Sequence, residues 1–258
     1  MTDVSVIGCG NMGGALLKGL SKTEKYTLTA CDLDPDAREA VSAFSSETTS
    51  DLDVAADADI VVVAVKPNVV EDLLADLDLS PDQTLVTIAA GVSTDVVEEY
   101  TDATVVRVMP NLGAETRDMA AAVTEGAVTD DVRGLLDDVG EYVEIDEAQM
   151  DVATAVNGSG PAFVFYLLNA MKRAGVEGGL DEDEARTLAA QTFKGAAETV
   201  LRSEESIDDL IDAVCSPNGT TIEGMEVLWD SDADQAVVDA VLAAERRSTE
   251  LAREHDDE

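Results

Sequence analysis

Short apolar runs alternate with amphipathic stretches through the first half of the chain. Residues 4–7, 27–30, 60–65, 85–89 and 104–109 are rich in Val, Ile, Leu and Thr, and predict strands. Between them, 14–20, 37–44, 69–77 and 94–100 show helical spacing. The run Ile60-Val61-Val62-Val63-Ala64-Val65 is apolar without a break, which suits a parallel sheet covered on both faces. Alternating β and α of this kind predicts a doubly wound α/β domain. The pattern weakens after Met109, where a strand near 119–123, a helix near 131–139 and a short strand at 142–145 are expected.

From about Met150 the period is helical throughout. Ile207, Leu210, Ile211 and Val214 fall at i, i+3, i+4, i+7, and Ala185, Leu188, Ala189, Thr192, Phe193, Ala196 and Val200 form a second stripe. Residues 162–171 are apolar almost all round, with only Asn169 polar. Such a helix must be buried on most sides, which a small chain achieves by packing on another subunit. The expected boundary lies near 150: an α/β domain over 1–150 and an all-α domain over 151–258.

Composition narrows the function. The 258 residues carry 55 acidic and 16 basic side chains, a formal charge of −39, spread from Asp3 to Glu258. Nucleic-acid affinity comes mostly from Lys and Arg on phosphate, so that partner is excluded, and an anionic membrane surface would repel the chain. At 45% hydrophobic residues a packed core is available, so disorder is excluded too. Uniform acidity with few lysines and 3% aromatics resembles proteins of organisms with molar intracellular salt, where a Debye length of ~3 Å screens self-repulsion. Cys9, Cys31 and Cys215 are odd in number and lack C-x-x-C spacing. They predict neither disulfides nor a zinc site, and with no apolar leader or spanning run they predict a cytoplasmic protein.

Gly8-Cys9-Gly10-Asn11-Met12-Gly13 is G-x-G-x-x-G, directly after a strand ending at Ile7 and opening a helix. The first glycine permits the tight turn, the second lets a pyrophosphate approach the backbone, and the third lets helix and strand pack closely. Asp32 ends the second strand, where an acidic residue accepts from an adenosine ribose; Arg38 is the nearest arginine that could meet a 2′-phosphate. Lys66-Pro67 follows Ala64 and Val65 at the carboxyl end of the third expected strand, and Ala89-Ala90 closes the next with small side chains. Open α/β sheets bind ligands at that edge.

Two further turns stand in the helical half. Asn157-Gly158-Ser159-Gly160-Pro161 precedes the apolar helix, with Pro161 suited to the helix start. In Ser216-Pro217-Asn218-Gly219-Thr220-Thr221-Ile222-Glu223, Thr220 and Glu223 fit a capping box. The same helix start offers N–H groups and a positive dipole end to a carboxylate, and Thr221 adds a hydroxyl. The single histidine, His255, lies in an acidic tail and is no catalytic candidate, which excludes His-based dehydrogenases and Ser–His–Asp hydrolysis. Reduction of a protonated imine, which carries its own proton, fits this inventory.

At these residues the sequence resembles the pyrroline-5-carboxylate reductase family. The matching stretches are 7–13, 64–67, 88–92, 107–111, 158–163, 188–192 and 216–222, in family order over nearly the whole chain. The resemblance implies an N-terminal Rossmann-type domain and a helical domain that forms a homodimer, with larger rings of dimers in many members. It implies reduction of 1-pyrroline-5-carboxylate to L-proline with NADPH or NADH held by Gly8–Gly13, Lys66-Pro67 and Ala89-Ala90. Ser216, Gly219, Thr220 and Thr221 would meet the substrate, with Thr221 and Ser216 as catalytic candidates and Gly160 beside them. The chain departs from the family where Leu112-Gly113 replaces Thr-Pro, at Asn157 and Asn218, and at Cys31-Asp32, where many members carry residues suited to NADPH. Asp32 leans the expectation toward NADH. Two other readings are a hydroxyacid dehydrogenase of the 6-phosphogluconate type, with Lys172 as acid/base, and a non-catalytic dinucleotide sensor.

Overall fold

Among the described residues, eight strands and seven α-helices lead the chain from Met1 to Ala153. The strands are β1 (Thr2–Ile7), β2 (Tyr26–Cys31), β3 (Glu47–Thr49), β4 (Ile60–Val63), β5 (Thr84–Thr87), β6 (Thr104–Met109), β7 (Met119–Thr124) and β8 (Gly140–Ile145). The helices are α1 (Asn11–Leu20), α2 (Pro35–Val41), α3 (Leu52–Ala56), α4 (Val70–Ala75), α5 (Thr94–Glu98), α6 (Asp130–Val139) and α7 (Met150–Ala153). This computed structural model describes residues 1–126 and 128–256; the side chain of His255 lies outside the described part.

The strands form one sheet in the order β3-β2-β1-β4-β5-β6-β7-β8. The continuous apolar run is explained by its two covers. Ile60 and Val62 join Val4, Val6, Val86 and Val106 in the core under α1 and α6. Val61 and Val63 join Ile7, Leu85 and Val105 on the opposite face. The chain leaves β1 toward β2 and β3, then returns to place β4 on β1's other side, so the sheet's switch point lies between β1 and β4.

The expected sheet needs three corrections. It is parallel from β3 to β6, but β7 runs antiparallel to β6 and β8 is parallel to β7. The link from Met109 to Met119 holds only a 3₁₀ turn, Leu112–Thr116, and is too short for the dozen or so residues a parallel crossover takes. The strand expected over 60–65 ends at Val63, which frees Ala64, Val65 and Lys66 to line a cleft. β3 and α3 were not expected, because a three-residue polar edge strand shows no periodicity.

One buried polar cluster staples this unit. Asp138 is buried, accepts from Lys25 Nζ at 2.7 Å and from Tyr26 Oη at 2.7 Å. Burial alone would raise its pKa, but those hydrogen bonds outweigh it and hold the carboxyl below its usual range.

The chain divides into two units, Met1–Ser159 together with the residues from Leu242 onward, and Gly160–Val241. The first thus extends past the boundary expected near 150. Asn157 ties that extension down, donating to the carbonyls of Met109 at 2.6 Å and Ala120 at 3.1 Å. Ser248 and Thr249 donate to the two carboxylate oxygens of Asp151 at 2.7 and 2.8 Å.

The second unit is helical: α8 (Gly160–Glu177), α9 (Glu182–Arg202), α10 (Ile207–Val214), α11 (Thr220–Trp229) and the start of α12 (Ala233–Asp256). Among its described residues only Ala185 and Ala189 are buried hydrophobics. α8 buries none, with Phe165 65% and Tyr166 77% exposed. No helix among the described residues is long and apolar enough to cross a membrane.

Candidate functional site

β1 ends at Ile7, and the chain turns at Gly8 with φ +98°. A Cβ there would lie 2.7 Å from the Ala64 carbonyl, and one on Gly13 only 1.9 Å from the Gly8 carbonyl. Both positions require glycine, and together they press the start of α1 onto the sheet edge. Around a Cβ on Gly10, by contrast, nothing lies within 4 Å. Gly10 is the N-cap of α1, without a side-chain hydrogen bond and with no acidic residue in the first turn. Its free N–H groups and open approach fit the pyrophosphate of a dinucleotide.

Beside this turn lies a cleft of about 360 Å³ bounded by Ile7, Gly8, Gly10, Asp32, Ala64, Val65 and Lys66. Asp32 is anchored within it. Oδ2 accepts from the Cys9 N–H at 2.7 Å and Oδ1 from the Asp34 N–H at 2.9 Å. Arg38 turns away, donating to the carbonyls of Asp32 and Leu33. The sequence reading missed Leu33, Ser50, Leu52, Val69 and Leu73, which also line the cleft. Leu33 directly follows Asp32 in the sequence, the one local signal for it; Ser50 and Leu52 follow β3, which the sequence pattern does not reveal.

The remaining cofactor candidates lie outside that cleft. Asn11 is exposed, Met12 and Pro67 are half-buried, and Ala89 is buried at the end of β5 with Ala90 half-buried beside it. Cys9 is buried and its thiol is pushed up to about 12, by burial first and then by Asp32. It is an inert side chain whose backbone serves the turn.

In the second unit, Ser216 to Gly219 forms a tight turn closed by the Gly219 N–H on the Ser216 carbonyl at 2.9 Å. Asn218, at φ 59°, takes the left-handed position, which asparagine tolerates better than other side chains. The expected capping box is absent. Gly219 is the N-cap, extended and without a side-chain bond, and Thr220 is already helical. A Cβ at Gly219 would lie 2.4 Å from Ser216 Oγ, so the turn itself puts a glycine where the cap would be. Thr220 and Ser216 are exposed; Thr221 is half-buried and lines an apolar groove of about 470 Å³ with Ile207, Ile211, Cys215 and Met225.

The glycine segment before α8 is also corrected. Residues Thr154–Gly158 form a wide π turn, closed by the Ser159 N–H on the Thr154 carbonyl at 3.0 Å, so it is helical and not a loop. Gly160 opens α8 with no atom within 4 Å of a Cβ position. Leu112-Gly113 is accommodated by Asn111, whose Oδ1 accepts the Gly113 N–H at 3.0 Å. A proline at 113 would lack that donor. Lys172 is paired with Glu182 at 2.7 Å.

Residues 147–251 match the family described as pyrroline-5-carboxylate reductase dimerisation, and 3–91 match that described as NADP oxidoreductase coenzyme F420-dependent. The pyrroline-5-carboxylate reductase of Methanosarcina acetivorans is 34% identical, over 97% of this chain and 98% of its own. The structure of that enzyme from Coxiella burnetii matches with a TM-score of 0.85 and 29% identity, over 97% of this chain and 98% of the other. The Plasmodium falciparum pyrroline carboxylate reductase, solved with NADP bound, matches with a TM-score of 0.83 and 27% identity over 97% and 98%.

Proposed function

The chain belongs to the pyrroline-5-carboxylate reductase family, and from that premise we propose how its residues share the reduction of 1-pyrroline-5-carboxylate to L-proline. The activity is that of an NAD(P)-dependent oxidoreductase. When bound, the reduced nicotinamide supplies the hydride. Gly8–Gly13, Ala64–Pro67 and Ala89-Ala90 would hold the dinucleotide, within a cofactor domain over 1–150. Ser216, Gly219, Thr220, Thr221 and Gly160 would hold the substrate, within a helical domain over 151–258 that forms a homodimer or larger ring.

One observation carries this division. Among the described α-helices with an extended N-cap residue, all are capped by an Asp, Ser or Thr side chain, at Asp34, Asp51, Ser93, Thr129, Asp181 and Ser206, except two. Those two are α1 and α11, both ten residues long, both starting at a bare glycine. At both starts the first-turn backbone N–H groups have no capping side chain, which suits a pyrophosphate and a substrate carboxylate in a chain with few cations. Thr221, in the first turn of α11, would hydrogen-bond the substrate's ring nitrogen or carboxylate, with Ser216 as its companion. Lys172, held by Glu182, speaks against the hydroxyacid-dehydrogenase reading, and a dinucleotide sensor would have no need of the Ser216–Thr221 turn.

Asp32 gives a preference for NADH over NADPH. Its carboxylate is fixed by two backbone donors, so its charge would repel a 2′-phosphate, and Arg38 is committed to carbonyl oxygens. The acidity points to a cytoplasm rich in salt, with stability rising steeply between ~0.1 and ~2 M KCl.

Following NADH and NADPH consumption with pyrroline-5-carboxylate tests the whole reading. Higher kcat/KM for NADH is expected, and a strong NADPH preference that persists in Asp32→Asn would remove Asp32 from selectivity. Thr221→Ala should lower kcat/KM by roughly one to two decades, the worth of one hydrogen bond to a charged group. Wild-type kcat/KM in that variant would leave only the turn's backbone as the carboxylate site.

A further inference from the structure

Beneath the carboxyl edge of the first unit's sheet lies a charged cluster with no part in the reading above. Arg107 of β6 is 5% exposed. It shares a strand face with Val105 and Met109, which belong to two separate apolar clusters. Its Nη1 donates to Glu147 Oε1 at 2.9 Å, while its Nε is buried without a partner. The same Glu147 oxygen accepts from the Thr94 N–H at 2.8 Å, and Oε2 accepts from the Thr94 hydroxyl. Thr94 opens α5, at the end of the loop that starts from Ala89 and Ala90. Glu147 opens the 3₁₀ turn Glu147–Gln149 that leads through α7 into the π turn with Asn157 and Gly158.

Stability does not account for this arrangement. Arg107 is buried but the Glu147 side chain is 30% exposed, and a part-solvated ion pair of this kind contributes little net stability. The orphaned Nε adds a cost. What a carboxylate supplies and packing does not is direction: both of its oxygens are used, and three donors fix three segments to one point. Although burial opposes the charge, the bonds from Thr94 and Arg107 outweigh it and keep Glu147 ionised below its usual range.

We infer that Glu147 is a positioning residue, which with Arg107 and Thr94 locks the Ala89–Ser93 loop to the segment carrying Asn157 and Gly158. The inference rests on the cofactor role proposed for Ala89 and Ala90. Unlocked, the loop would wander, and displacements near 1 Å can cost a large factor in turnover.

The test compares full-length Glu147→Ala, Glu147→Gln and Thr94→Val with the wild type, reading dinucleotide Kd by nicotinamide fluorescence, kcat, KM for the substrate, and Tm. Glu147→Ala should weaken dinucleotide binding and kcat each by about tenfold, with substrate KM nearly unchanged. Glu147→Gln, which still accepts from Thr94, should recover most of the loss. Thr94→Val, which removes one side-chain bond, should show a several-fold effect on Kd even if Glu147→Ala fails to fold. A lower Tm with wild-type Kd and kcat in the folded variants would overturn the proposal. Ala90→Leu separates this failure from that of the underlying reading. A Kd untouched by Ala90→Leu removes the loop's cofactor role, and the proposal with it. A Kd weakened by Ala90→Leu but not by the Glu147 and Thr94 variants removes the lock alone.

Discussion

The two units of this chain bury their apolar residues in opposite ways. The first covers both faces of its sheet from its own sequence, so that Val4, Leu17, Val62 and Val106 are essentially inaccessible. The second, among its described residues, buries Ala185 and Ala189 and leaves Phe165, Tyr166, Ile207 and Trp229 more than half exposed. Exposed apolar surface on that scale marks an interaction surface, and the dimerisation family matched over 147–251 names its kind. One unit is finished by folding, the other by association. Their stabilities should therefore respond to different variables.

The sharpest break of this comparison is a charge on α8. Phe165→Asp should convert the oligomer to a monomer and abolish turnover, while dinucleotide binding to the first unit survives. Sedimentation and a fluorescence titration check both halves, and loss of dinucleotide binding would show that the first unit is not self-sufficient. Next in size is Leu17→Ala, a fully buried side chain in α1. It should cost about 2–5 kcal/mol, through a fall in Tm that does not depend on protein concentration.

Asp138 offers a smaller, pH-dependent version of the same test. Its folded pKa lies below the ordinary value, so its contribution is present above about pH 4, near the unfolded value, and is lost as pH falls through the folded one. Asp138→Asn should be less stable than wild type by about 1–3 kcal/mol at pH 7. That gap should close on acidification, as read by chemical denaturation; a constant gap would mean the carboxyl carries no charge-dependent role. The smallest effect is expected at Thr220. Because Gly219 is the N-cap, Thr220→Ala removes no cap and should shift stability by under about 0.7 kcal/mol, the span of ordinary helix propensities. A loss near 1 kcal/mol, the usual worth of a cap, would restore the capping box that the sequence suggests.

That last case shows how sequence and structure divide the information. G-x-G-x-x-G after a strand is legible because glycine is needed where backbone meets backbone, as Gly13 meets the Gly8 carbonyl and Gly8 that of Ala64. The apolar run of β4 is legible for a similar reason: Ile60 to Val63 alternate between two cores that both need apolar side chains. The Thr220–Glu223 spacing fits a cap equally well, but whether a residue is cap or first helical position depends on backbone angles, which Ser216 and Asn218 set.

Local spacing and residue type specify the alternation of strands and helices, the glycine turn after β1, the acidic residue after β2 and the apolar faces of the helical half. Long-range packing sets the rest: β7 turns back antiparallel, Asp32 is fixed by the Cys9 and Asp34 N–H groups, and Arg107, Glu147 and Thr94 meet. Those three residues are separated by 13 and 40 positions along the chain, and no local pattern couples them. They come together because the sheet places β6 beside β5, and a buried charge then takes whatever partners the packing brings within reach.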